Sequence, residues 1–121
     1  MLLEEKYYRV LAQKRDGLHG VFHIALLRDC DIYRGHFPGR PVCPGVCNIE
    51  TIKELTMALT GKSLCIQHIK SCRFTAVASP DICPEVDVEI TVVPSPEGYA
   101  VAAIIRDAKA TYLELKGEMT A

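Results

Sequence analysis

The chain has 121 residues, of which 49% are apolar and 24% charged, with a net charge of −1 at pH 7. That is globular composition for one domain over residues 1–121 with a core of its own, and the charge balance excludes a general nucleic-acid binder. Aromatic residues are 7% and tryptophan is absent, which argues against base stacking, and no apolar run approaches the roughly 20 residues that cross a membrane.

Met1-Leu2-Leu3 runs straight into Glu4-Glu5-Lys6. No secretory leader is expected from that start, and a cytoplasmic protein is expected. Tyr7 to Gln13 reads as a first strand, Arg15 to Gly20 as turn chemistry, and Val21 to Asp29 as a second strand completing a hairpin. A Gly/Pro-rich loop follows, and after it Ile49, Ile52, Leu55 and Leu59 recur at helical spacing. With Pro44 at its start and Gly61 at its end, this predicts a helix over Pro44 to Thr60, about 25 Å long. Ile66 to Ala78 reads as one long strand bounded by Ser79-Pro80-Asp81, and Val86 to Val93 alternates cleanly up to Pro94. Tyr99 to Asp107 and Ala110 to Thr120 complete the set, with a turn near Asp107 to Lys109. Two strands, a helix and four strands predict an α+β fold in which one long helix covers an antiparallel sheet. The edges of such a sheet must be paired or covered, and a homodimer would do so.

On a helical projection Glu50, Lys53 and Glu54 lie largely opposite the Ile49/Ile52/Leu55/Leu59 face, and Val46 and Met57 join the side of Glu50. A simply solvated stripe would not carry Val46 and Met57, so a second surface is expected there. An exposed Glu50–Lys53 pair at i,i+3, with no further role, is the plain alternative. The six cysteines (30, 43, 47, 65, 72 and 83) lack a disulfide framework, and most sit in apolar runs as small hydrophobes. His36, Cys43 and Cys47 have no second cysteine pair to complete a zinc site, and no metal is expected.

The loop and helix start, Gly35-His36-Phe37-Pro38 followed by Pro41-Val42-Cys43-Pro44-Gly45-Val46 and then Glu50, closely resemble the signature of 3-hydroxyacyl-(acyl carrier protein) dehydratases of the FabZ type. These enzymes belong to the hotdog-fold superfamily, in which an antiparallel sheet wraps one central helix. The match is ungapped, and Arg73-Phe74 with Ser79-Pro80-Asp81 resembles the family's strand–turn–strand unit; the likeness covers roughly residues 17 to 120. The chain departs in lacking the family's N-terminal segment, in carrying Thr51-Ile52-Lys53-Glu54 where Ala-x-Ala-Gln is usual, and in a shortened link from Gly61 to Gln67. Compact relatives of this kind resemble dehydratases of pigment-type polyene pathways. The glutamate at position 50, where isomerising FabA relatives place aspartate, implies dehydration without isomerisation.

The chemistry suits those residues. Dehydrating a 3-hydroxyacyl thioester needs a base for the proton beside the carbonyl and an acid for the departing hydroxyl. His36 fits the base, because imidazole titrates near neutrality, and Glu50 fits the acid if burial raises its pKa. The resemblance implies that His36 of one subunit meets Glu50 of the other, and that the Gly45 amide polarises the thioester carbonyl. At a helix start that amide is suited by type. Phe37 and Val46 are expected to line the substrate, with Phe37, Pro38 and Pro41 framing the histidine. A tight turn with a helix cap is their plain alternative. His19, His23 and His68 are expected to be packed or solvated. Arg28, Arg34, Arg40, Lys70 and Arg73 would form a basic rim for acyl carrier protein, or else scattered surface charge. The expected substrate is a (3R)-3-hydroxyacyl thioester that brings its own phosphopantetheine arm, with no other cofactor. The expected assembly is a homodimer or a trimer of dimers. A hotdog acyl thioesterase and a non-catalytic acyl-binding subunit of a synthase are the competing readings.

Overall fold

The computed structural model describes residues 2–33 and 42–121. Six strands and one long helix follow the expected order: β1 (Tyr8–Asp16), β2 (His19–Leu26), α1 (Gly45–Thr60), β3 (Cys65–Phe74), β4 (Glu85–Ser95), β5 (Gly98–Arg106) and β6 (Thr111–Thr120). A short 3-10 turn spans Asp31–Tyr33. The strands form one antiparallel sheet in the order β1-β2-β4-β5-β6-β3, so β1 and β3 lie at its edges.

Local chemistry sets the joints. A two-residue turn links β1 to β2, with Gly17 at φ 60, a backbone setting that glycine adopts without Cβ strain. Between β5 and β6, Asp107 accepts the Lys109 and Ala110 amides through Oδ1, at 2.8 and 2.9 Å, and the Tyr112 hydroxyl through Oδ2 at 2.7 Å. After β3, Ser79 Oγ accepts the Asp81 and Ile82 amides at 3.2 and 3.0 Å. That places the expected turn at Ser79-Pro80-Asp81. The strand before it ends at Phe74, however, four residues short of the expected run.

The central strands alternate as half-buried strands should. Val86, Val88, Ile90 and Val92 of β4 turn inward, while Asp87, Glu89 and Thr91 turn outward. The helix buries Ile52, Leu55 and Leu59 in one core with Phe22, Ile24 and Leu113. Pro44 caps α1 rather than opening it, and Gly61 ends it at φ 72 in the left-handed region. Thr51 and Thr56 are buried on the helix, and their hydroxyls donate to the Cys47 and Ile52 carbonyls at 2.8 and 2.7 Å. Glu54, placed with Glu50 and Lys53 largely opposite the apolar face, is itself fully buried.

Candidate active site

Of the residues that the sequence singles out, Gly45, Val46 and Glu50 are on α1, while His36, Phe37, Pro38 and Pro41 lie outside the described residues. Gly45 is the first residue of the helix. The Phe74 ring, at the end of β3, packs so closely on it that an added Cβ would stand 2.7 Å from Cζ and 2.9 Å from Cε1. Beside this contact runs a cleft of about 250 Å³, lined by Gly45, Asn48, Phe74, Val77 and Tyr112 among others. Phe74 and Val77 are exposed, and so is Val46, at 72%. Asn48 is buried in the same helical turn, where its Oδ1 accepts the Tyr7 hydroxyl at 2.7 Å.

Val46, Glu50, Lys53 and Met57 form one stripe at helical spacing, and all keep some exposure where the opposite face has almost none. Such a mixed apolar and charged stripe is what a helix presents to a second surface. The Glu50 side chain retains 25% of its exposure, and Lys53 Nζ stands 3.7 Å from its Oε1. The i,i+3 pair of the plain reading is therefore present. Desolvation nevertheless holds the Glu50 carboxyl above the usual carboxylate range, with the neighbouring Glu54 acting in the same direction and Lys53 opposing.

Glu54 was hidden from sequence reasoning. Its Oε2 accepts the Leu3 amide at 3.0 Å, and its Oε1 accepts the Glu4 amide at 3.2 Å and the Tyr8 hydroxyl at 3.0 Å. The departure from the usual Ala-x-Ala-Gln run was the only signal in the sequence. Tyr8 in turn has its hydroxyl pKa raised, by burial first and by the Glu54 charge second.

All six cysteines are free, and Cys43, Cys47 and Cys83 are buried. Cys43 Sγ lies 3.4 Å from the Tyr33 hydroxyl, and desolvation pushes its thiol pKa up, as it does for Cys47 and Cys83. Those thiols are inert packing groups. His19 heads β2 rather than sitting in the turn, and bonds Thr91 and Glu89; His23 lies between Asp87 and Glu85. Within the expected basic rim, Arg28 is paired with Asp81 at 2.8 Å and Lys70 with Glu118 at 3.2 Å. Arg73 lines a groove on the outer sheet face together with Glu89 and Glu114, while Arg34 and Arg40 lie outside the described residues. Among the described residues, no helix is long and apolar enough to cross a membrane.

Comparison with known proteins adds three findings. A family model described as ApeI-like, ApeI dehydratase, matches residues 12–111. Curated relatives are 3-hydroxyacyl-(acyl-carrier-protein) dehydratases FabZ. The protein of Clostridium acetobutylicum is 29% identical over 92 residues, which cover 69% of this chain and 65% of the relative. That of Erythrobacter litoralis is 31% identical over 70 residues, 50% of this chain and 46% of the relative. The chain thus spans between about half and two thirds of the length of these relatives. Among solved structures, a chain of the dehydratase heterocomplex ApeI:P from Xenorhabdus doucetiae matches with a TM-score of 0.74 at 17% identity, over 93% of this chain and 97% of that one. An uncharacterized protein from Erwinia carotovora subsp. atroseptica matches with a TM-score of 0.61 at 16% identity, over 93% of this chain and 95% of that one. At such identities the likeness is one of fold, and the fold is the hotdog.

Proposed function

The chain belongs to the ApeI-like dehydratase family, and on that premise we propose that it reversibly dehydrates a (3R)-3-hydroxyacyl thioester on acyl carrier protein to the trans-2-enoyl thioester. The observation that carries the reading is Glu50: a partly exposed carboxyl on α1, on the helix that Gly45 opens, held above the usual carboxylate range by desolvation. A carboxyl shifted in that direction is suited to give the proton that a hydroxyl leaving group needs.

In the proposed reaction the His36 imidazole takes a proton from the carbon beside the thioester carbonyl. The Cα–H electron pair becomes the Cα–Cβ double bond, and the Cβ–O bond breaks as Glu50 gives its proton to the hydroxyl, so that water leaves. The Gly45 amide, at the positive end of α1, donates to the carbonyl oxygen as charge develops on it. Val46 and Phe37 line the acyl thioester. No oxidation level changes in the sum, so the reaction calls for no redox cofactor, and the phosphopantetheine arm arrives with the carrier. The proposed unit is a homodimer in which His36 of one subunit meets Glu50 of the other. Support comes from β3, which among the described residues is paired on one side only, by β6, and from the half-exposed stripe on α1.

The test is a panel of 3-hydroxyacyl carrier proteins of different chain length, followed by enoyl absorbance. Wild type should form enoyl product, and His36→Ala and Glu50→Ala should each lose about 10²–10⁴-fold in rate. Mixing the two variants should restore part of the activity if the site is shared between subunits. Free thiol without enoyl product would mark a thioesterase, and carrier binding without turnover a non-catalytic subunit. Either result overturns the proposal.

A further inference from the structure

The cleft beside Gly45 is mostly apolar, with Phe74, Ala76, Val77 and Ala78 in its walls. Among the described residues, three of its lining side chains carry polar hydrogens. The Tyr112 hydroxyl is committed to Asp107 at 2.7 Å, and the buried Cys43 thiol lies against the Tyr33 hydroxyl at 3.4 Å. The third is Asn48, only 6% exposed, whose Oδ1 accepts the Tyr7 hydroxyl at 2.7 Å. That bond fixes which way round the carboxamide sits and turns Nδ2, with its two N–H groups, to the other side. Among the described residues Nδ2 has no hydrogen-bond partner. Buried polar groups are as a rule paired, so a donor left over in the wall of a cleft points to a ligand.

Its position points the same way. Asn48 follows Gly45 by three residues, and its backbone amide bonds to the Pro44 carbonyl at 3.2 Å, in the first turn of α1. Helical side chains tilt toward the helix N-terminus, so the Asn48 carboxamide reaches back over the turn that presents the Gly45 amide. Both residues line the one cleft. A carbonyl oxygen has two lone pairs and takes two donors.

We propose that Asn48 is a second donor to the thioester carbonyl of the bound acyl chain, its Nδ2 sharing that oxygen with the Gly45 amide, and that Tyr7 is the residue that positions it. The proposal rests on the reading of this cleft as the seat of the thioester. As the proton beside the carbonyl leaves, negative charge gathers on the oxygen. A donor already aimed at it, in apolar surroundings, needs no reorganisation at that moment.

The test uses the full chain and a saturated acyl pantetheine thioester, 13C-labelled at the carbonyl, which has no hydroxyl to eliminate. Difference infrared spectra at saturating probe read the carbonyl stretch, which each hydrogen-bond donor lowers. In Asn48→Leu, close in size but without N–H groups, the band should move back toward that of the free thioester. The kcat/KM for dehydration should fall about 10²–10³-fold. Because leucine leaves the Tyr7 hydroxyl without its acceptor, Tyr7→Phe and the double variant Tyr7→Phe/Asn48→Leu are measured beside it. Removing both partners of a buried hydrogen bond is milder than removing one, and the double variant decides the matter if Asn48→Leu does not fold. Tyr7→Phe alone keeps the donor and should hold kcat/KM within about tenfold of wild type. A band unmoved by loss of Asn48 in the folded variants overturns the proposal and leaves Asn48 as a strut between α1 and Tyr7. So does a wild-type band already at the position of the free thioester. A band that moves in a protein forming no enoyl product sinks the dehydratase reading and upholds the donor. Turnover with an unmoved band does the reverse.

Discussion

Replacing Gly45 by alanine separates packing at the helix start from chemistry there. The new methyl would lie 2.7 and 2.9 Å from two atoms of the Phe74 ring. The ring must retreat by roughly 0.7 Å to regain ordinary contact. It is free to do so, because Phe74 is 56% exposed at the end of β3. Against the lost packing stands the helical advantage of alanine over glycine, up to about 1 kcal/mol. A half-exposed phenyl ring that lifts away forfeits about 1 kcal/mol of burial. The two nearly cancel, so Gly45→Ala should remain within about 1 kcal/mol of wild type in urea denaturation, a shift of about 4 °C or less in Tm. In a Phe74→Ala background the clash is gone, and the same substitution should stabilise by about 0.5–1 kcal/mol. Activity should behave otherwise. If the Gly45 amide is an oxyanion donor, the added methyl hinders approach to it, and kcat/KM should fall about 10²-fold with or without the ring. An equal stability cost in both backgrounds would refute the packing account, and unchanged kcat/KM would refute the assigned role of the amide.

Three further substitutions test the core, the β6–β3 pairing and one ion pair. Ile52→Ala empties a fully buried position between helix and sheet and should cost about 2–5 kcal/mol in chemical denaturation. Gly117 faces β3, where an added Cβ would stand 2.5 Å from the His68 carbonyl oxygen. Gly117→Ala should therefore cost about 1–3 kcal/mol, with faster amide exchange along β3 as its local signature. His23 has its pKa raised, first by Asp87 and then by Glu85, its nitrogens lying 2.8 and 2.6 Å from their oxygens. A raised folded-state value stabilises fully below the ordinary value of about 6.5 and is lost as pH rises through the raised one. The stability gap between wild type and His23→Gln should thus be open at acid pH and closed at alkaline pH; a gap independent of pH would refute the ion-pair assignment.

Much of the fold was legible because its periodicities were local. The alternation of β4 and the three-and-four spacing of Ile52, Leu55 and Leu59 each require only neighbours in sequence to be read. The end of β3 was not legible, since Thr75 to Ala78 remain apolar in character while the chain turns away after Phe74. At the site, Gly45, Val46 and Glu50 could be placed on one helix from sequence alone. The burial of Glu54 could not. A glutamate beside a lysine reads as a solvated face, and only contacts from Leu3, Glu4 and Tyr8 turn it inward. The packing of Phe74 on Gly45 is equally non-local, joining the end of an edge strand to the start of the helix.

The clamp on Glu54 also has a temporal side. Its three hydrogen bonds join residues 51, 50 and 46 positions apart, so the entropy of closing a long loop is spent before any of them forms. The segment from Leu3 to Tyr8 should dock late in folding, onto a helix already seated, and be among the first to peel away. Loss of the Tyr8 hydroxyl would then appear mainly as faster unfolding, with the folding rate little changed. The surroundings of Glu54 are in this sense assembled last: a chain can hold its complete sheet and helix for a time before the segment from Leu3 to Tyr8 closes over α1.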